Sequence, residues 1–222
     1  ELFAPPLKRD TLTGLAIATV CVVALWATVA LLPIICTDLA DLHATENGLS
    51  DDERNKLVED WKVLGSLWFN AGALVGAFLV LALSHCVCGG VRGSRRAMFA
   101  SSFVLSALAL TLTYGLELSG QTLIGVQFLV GFPTLGSFAA LNLWLPELFP
   151  TRLRGTGSGL CYNTGRLVVA GATFAVGFVA SLSDDDSLAV ARAADFATGF
   201  VPVLGLVAVC YMRETGGKPL QA

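Results

Sequence analysis

Six apolar runs, each close to the ~20 residues a helix needs to cross a bilayer, divide this 222-residue chain. They lie near 12–35, 62–83, 97–116, 121–143, 157–181 and 194–212. Hydrocarbon offers no water to satisfy a backbone N–H or C=O, so runs of this length are read as helices. The chain is 55% hydrophobic and only 14% charged, against about a quarter charged residues in soluble domains. The expected fold class is all-α and integral to a membrane. It is a single domain of six transmembrane helices over residues 1–222.

Lys and Arg set the expected orientation. With both termini in the cytoplasm, the inner segments hold Lys8, Arg9, Arg92, Arg95, Arg96, Arg152, Arg154, Arg166, Arg213 and Lys218. The outer segments hold only Arg54, Lys56, Lys62 and Arg192. Acidic residues lean outward, in the loop 37–60 and in "SDDDS" at 183–187. "LSDDERNKLVEDW" at 49–61 reads as a short amphipathic helix on the outer surface, or as a solvated connector. A bacterial inner membrane is the simplest location, with a eukaryotic organelle as the alternative.

Nothing points to an enzyme: there is no Ser-His-Asp set, phosphate loop or pair of intramembrane carboxylates. No cofactor and no nucleic-acid partner are expected. The six cysteines fall in or beside apolar runs, where cysteine acts as a small hydrophobe. "HCVC" (His85, Cys86, Cys88) lacks the second ligand pair that a zinc site needs, so no metal is expected. "ELFAPPLKRD" carries no signal-peptide pattern. Small residues four apart, Gly72 with Gly76 and Gly155 with Gly159, followed by Gly165, Gly171 and Gly177, predict close helix packing.

Between the fourth and fifth runs stands a polar knot, "PELFPTRLRGTG" (146–157). It resembles the connection between the tenth and eleventh helices of major facilitator superfamily transporters, with a sugar-porter or organic-acid and sialate flavour. Three further stretches fall in the matching order. "ELFAPPLKRDTL" resembles the entry to the seventh helix, "RGSRR" (92–96) the basic turn after the eighth, and "RETGGKPL" (213–220) the tail after the twelfth. The resemblance implies the C-terminal half of a twelve-helix transporter. Its other wall would be a second six-helix half, and substrate would sit between the halves at mid-membrane.

It also implies a gating charge network on the cytoplasmic face. Glu147 would pair with Arg154 and with Arg95 or Arg96, and Glu214 would join them. A partly exposed ion pair is worth about 0–1 kcal/mol, a size suited to a switch; plain anchoring of helix ends by arginine is the competing reading. One departure stands out: the family carries an acid just before the basic turn, whereas "ALSHCVCGGVRGSRR" carries none.

Polar residues inside spans face a cavity or a partner helix. Arg166 lies roughly 14 Å into the fifth run at ~1.5 Å per residue, with Tyr162 and Asn163 one turn earlier. A cation there suits a carboxylate-bearing solute; snorkelling to the membrane edge is the alternative. Gln127, Asn142, Asn70 and Trp26 complete the candidate substrate-binding set. Pro133, between Gly131 and Gly136, is expected to bend the fourth helix. No acid is expected at depth in this half, because Glu117 and Asp38 fall near outer span ends.

Two functions stay open. One is secondary transport, by alternating access, of a small organic anion, as a symporter whose coupling ion the sequence does not name. The other is a truncated, non-transporting relative that serves as a structural subunit of a larger membrane complex. Intact mass spectrometry of the native polypeptide separates them. A product near twice 23.2 kDa is expected for a twelve-helix transporter. A product near that mass itself would favour the subunit.

Overall fold

The computed structural model describes residues 1–85, 87–88, 91–92, 94–116, 118–182 and 187–218. Side chains are described outside 83–93, 179–180 and 182–189. The His85–Cys88 cluster, Arg92, Glu117 and Asp184–Asp186 therefore lie outside the described side chains.

The chain is an all-α bundle. Its helices are α1 (Pro5–Glu46), α2 (Asp51–His85), α3 (Arg95–Gly115), α4 (Gly120–Leu148), α5 (Arg154–Leu182), α6 (Ser187–Thr198) and α7 (Val201–Tyr211). A two-residue antiparallel pairing, β1 (Val87–Cys88) with β2 (Val91–Arg92), lies between α2 and α3. Among the described residues, five helices are long and apolar enough to cross a membrane: α1, α2, α3, α4 and the stretch Val190–Tyr211. The fifth expected run is helical along its whole length as α5. Its first half carries Tyr162, Asn163, Thr164 and Arg166, and among the described residues α5 is not one of the five.

Helix ends depart from the sequence reading in three places. First, α1 spans 42 residues, roughly 60 Å at ~1.5 Å per residue and about twice the hydrocarbon thickness. Pro5 and Pro6 stand at its start, where a missing N–H is harmless, and Asn47 and Gly48 (φ 61°) end it. Second, residues 51–61 are not a separate surface helix. They are the first turns of α2 and run unbroken into the span, because no Gly or Pro interrupts the chain before Gly65. Ser50 donates its N–H and hydroxyl to Glu53 at that start. The projecting ends of α1 and α2 are tied by a two-pronged Arg54–Asp41 bridge at 2.8 Å. Third, the sixth run breaks between α6 and α7 at Gly199 and Phe200, with Pro202 just beyond.

The bundle is built around α1, which packs against α2, α4, α5, α6 and α7. One apolar cluster, with Phe99, Phe103, Trp144 and Met212, fills the end near α3's start. A second, with Ile35, Trp61, Tyr114 and Leu123, fills the other end. α5 lies at the edge, with Phe174 83% and Leu167 75% exposed.

The closest backbone approach joins α2 to α4. A methyl group added to Gly72 would overlap the Phe128 carbonyl oxygen, and one on Gly76 the Phe132 carbonyl oxygen. Gly131 meets the Phe69 carbonyl in the same way from the α4 side. Small residues four apart thus do on α2 what their spacing predicts. On α5 the pattern does not hold: Gly155, Gly159, Gly171 and Gly177 face open space, Gly165 abuts Ala18, and Gly157, outside that spacing, lies against the Phe149 ring. Spacing alone does not say whether a small-residue stripe has a helix opposite it.

Gly72→Leu is expected to cost at least the ~1–3 kcal/mol of an overpacked core. It should visibly lower the thermal midpoint in detergent. Gly171→Leu, in open space, is expected to change it by no more than about 0.5 kcal/mol. Equal midpoints for the two variants would refute the α2–α4 contact.

Candidate functional site

The polar knot and the two basic ends meet at one end of the bundle. Pro146 and Pro150 bracket Glu147, and the chain turns at 151–153 before α5 begins. Arg95, in the first turn of α3, donates from Nε (3.1 Å) and Nη2 (2.7 Å) to the two carboxylate oxygens of Glu147 on α4. The fork is mostly buried, with 12% and 20% of the two side chains exposed. The Thr215 hydroxyl donates to the same carboxylate at 2.6 Å. Removing one partner of a buried pair leaves an uncompensated charge, at a cost of about 3–5 kcal/mol. This pair is therefore more buried, and more costly to break from one side, than the surface-type bridge expected.

Glu214 sits on the N-terminus of α3. Its carboxylate accepts from the Ser94 hydroxyl (2.5 Å) and from the backbone N–H groups of Arg95 (2.9 Å), Arg96 (3.2 Å) and Gly216 (3.0 Å). A helix start presents free N–H groups and a partial positive charge, so it suits a carboxylate. The acid that the basic turn lacks is thus met in space by one from the tail. Burial opposes the charge on Glu214, but the bonds from Ser94, Gly216, Arg95 and Arg96 outweigh it and hold its carboxyl below the ordinary glutamate value.

The other arginines also hold helix ends. Arg96 donates to the Met212 carbonyl at 3.0 and 2.5 Å, and Arg9 to the Tyr211 carbonyl at 3.2 and 3.0 Å. Arg154 donates to the Pro146 carbonyl at 3.0 Å. Sequence reasoning missed one strong pair: Arg213 bridges Asp10 of α1 at 2.9 Å, with the Asp10 side chain 7% exposed. The signal was present, since both residues fall at the basic end of their helices.

The candidate substrate residues separate into three groups. Trp26 and Arg166 meet: with Ala30, Val169, Ala170 and Thr173 they line an open cleft of about 240 Å³ between α1 and α5. The Arg166 guanidinium lies 5.8 Å from the centre of the Tyr162 ring, and that ring packs edge-on to Phe138 at 6.0 Å. An adjoining apolar cavity of about 260 Å³ shares Thr173 and reaches Ala194 and Thr198 of α6. Asn163, Asn70 and Asn142 form the second group, all exposed and none lining that cleft. The amides of Asn163 and Asn70 each turn back to a carbonyl of their own helix, Gly159 and Ser66.

Gln127 stands apart. It is fully buried in α4, and its Oε1 accepts from the Tyr114 hydroxyl of α3 at 3.3 Å. Asp195 of α6, fully buried, belongs to the same region. The sequence analysis did not single out Asp195, which stands second in the expected span 194–212. Ala191 and Thr198, one turn to either side, are buried with it, and that helical spacing was the available signal. Pro133 lies inside α4, and next to it the Thr134 hydroxyl donates to the Val130 carbonyl at 2.7 Å.

No family model matches the chain. Two curated relatives do. Over 76 residues it is 42% identical to a protein of Cupriavidus pinatubonensis named as a 4-methylmuconolactone transporter, covering 34% of this chain and 18% of that one. Over 115 residues it is 32% identical to a Bacillus subtilis protein named as a metabolite transport protein, YyaJ, covering 52% of this chain and 25% of that one. The matched segments thus span a quarter or less of each relative's length. Both relatives are named as transporters, and the five long apolar helices support an integral membrane protein.

Glu214→Gln is expected to be less stable than the parent at neutral pH. The sign follows from the lowered carboxyl: its contribution is present above the ordinary value of 4.5 and is lost as pH falls through the still lower folded value. Melting curves of the two proteins should therefore converge in acid. A gap that stays constant down to pH ~3 would show that Glu214 acts by packing and not by charge.

Proposed function

We propose that this chain is the C-terminal six-helix half of a major facilitator superfamily transporter, and that it helps move a small organic anion across a bacterial inner membrane by alternating access. The observation that carries this reading is the exposed cation Arg166, set beside Trp26 in a cleft between α1 and α5. A charge part-way along a span is costly and is kept where it faces a polar path or a ligand. The cleft is small, which suits a metabolite-sized solute, and the transporter names of both relatives agree with that size.

In this reading a carboxylate takes the guanidinium of Arg166 through charge-assisted bonds. Tyr162 holds the guanidinium from below through its ring face, and Trp26 supplies a flat apolar wall. The second six-helix half covers the exposed side of α5, where Phe174 and Leu167 stand open, and completes the path. The Arg95–Glu147 fork and the Glu214 cap close the cytoplasmic end in one state and part in the other. Asn163, Asn70 and Asn142, as exposed amides, are offered as secondary contacts to the solute or to the opposite half.

Arg166→Ala in the reconstituted full-length protein is expected to reduce uptake of a small carboxylate by about 10- to 100-fold, the size of one charged hydrogen bond of ~1.5–3 kcal/mol. Arg166→Lys should recover part of it. Uptake of the carboxylate unchanged in Arg166→Ala would remove the anion clamp. Absence of uptake by the parent protein, with the fold intact, would favour the structural-subunit reading.

A further inference from the structure

Asp195 has no place in the solute cleft or in the charged clasp. It sits in α6, five residues into the stretch Val190–Tyr211, about 8 Å along the helix at ~1.5 Å per residue. The residue is 0% exposed, and neither carboxylate oxygen has a protein hydrogen-bond partner. The group beside it is Tyr114 of α3, whose hydrogen goes instead to Gln127 Oε1 at 3.3 Å. The Gln127 amide nitrogen is likewise buried and unbonded. A buried cluster on α3, α4 and α6 thus brings together an acid with both oxygens unbonded, an amide nitrogen without an acceptor, and a phenol that donates to the amide oxygen.

A carboxylate ion buried here has a desolvation cost that the neutral acid avoids, and the one hydroxyl beside it, that of Tyr114, is engaged by Gln127. The titratable and charged neighbours are few. Tyr114 faces Asp195 from α3, and Cys36 of α1 lies behind Tyr114. Arg192 is one turn away on α6 itself. α4 contributes only the neutral Gln127. The charges of α5, Arg154 and Arg166, are on its first half, and α7 carries none.

The segment that holds the acid is also set apart. α6 ends at Thr198, and α7 starts at Val201. Just beyond Asp195 this segment rests on α3 through two tight contacts, Phe196 of α6 against Gly115 and Gly199 of the following turn against Thr111. α6 also packs against α1 and α5, and the two-residue turn at 199–200 separates it from α7.

We propose that Asp195 is a proton-binding site: the carboxyl carries one proton on a carboxylate oxygen in the arrangement seen here, and loses it to water when α6 separates from α3. Tyr114 and Gln127 are the positioning residues that receive the neutral acid. Proton binding stands by itself. That the proton is coupled to solute movement rests on the reading of the chain as a transporter half.

The test is an infrared pH titration of the full-length protein in lipid vesicles, in sodium-free buffer, comparing the parent with Asp195→Asn and Tyr114→Phe. The expected result is a protonated-carboxyl band that disappears reversibly as pH is raised, is missing in Asp195→Asn, and is displaced in Tyr114→Phe. The second variant keeps the acid, so it remains informative if Asp195→Asn fails to fold. Identical spectra for parent and Asp195→Asn would overturn the proposal, as would a band that does not respond to pH. A band abolished by sodium at constant pH would overturn it in favour of a metal-cation site. In the same vesicles, Asp195→Asn is expected to retain solute exchange without a pH gradient and to lose at least 10-fold of gradient-driven accumulation. If accumulation persists in the variant, coupling through Asp195 is wrong. If the parent moves no solute at all, the transporter reading falls, while the titration still decides proton binding.

Discussion

An apolar side chain gains little by leaving lipid for protein, because the lipid tails are as apolar as it is. Helices in a bilayer must therefore be held by close backbone approach and by polar ties, and this chain uses each in a different place. At α2 and α4 the absence of side chains on Gly72, Gly76 and Gly131 lets backbone meet backbone. At the basic end, where water and headgroups begin, the ties are ionic and converge on α1, α3, α4 and the tail. Between these two fastenings α5 is left at the margin, and there the most exposed apolar residues and the exposed Arg166 are found.

The two fastenings differ in what can undo them. A glycine contact is steric and insensitive to pH or salt. The clasp is electrostatic: the Arg95–Glu147 fork, the Arg213–Asp10 bridge and the Glu214 cap weaken when a carboxylate is neutralised. A bundle that must keep its shape while one end opens is well served by placing the reversible ties at that end. The competing role, simple anchoring of helix ends by arginine, is visible in Arg9, Arg96 and Arg154, each of which donates to a backbone carbonyl.

The helical membrane character was plain in the sequence, because an apolar run of membrane length has one structural outcome. Boundaries were not, since hydropathy reports where lipid ends and not where the helix does: α1 and α2 both continue well past their apolar windows. For the site, the residue types of the clasp were readable in "PELFPTRLRGTG", "RGSRR" and "RETGGKPL", but the pairings were not. Nothing in "RGSRR" announces that Ser94 and two backbone N–H groups receive an acid from 120 positions away. Gln127 and Arg166 both read as polar residues in spans, and only packing shows that one is sealed between helices and the other open. Asp195 was hidden by its position at the edge of an apolar window, although its neighbours one turn away share its burial.

The clasp has a consequence for biosynthesis. Asp10, Ser94, Arg95 and Glu147 leave the ribosome well before Arg213, Glu214 and Thr215, the residues that complete their contacts. Until that late segment is made, Asp10 lacks its arginine and the start of α3 lacks its acid, while the Arg95–Glu147 fork and the α2–α4 glycine contacts have every residue they need. Order of synthesis therefore sets order of assembly, and a ribosome stalled after α6 would leave an inserted bundle whose α1 and α3 ends still wait for the tail.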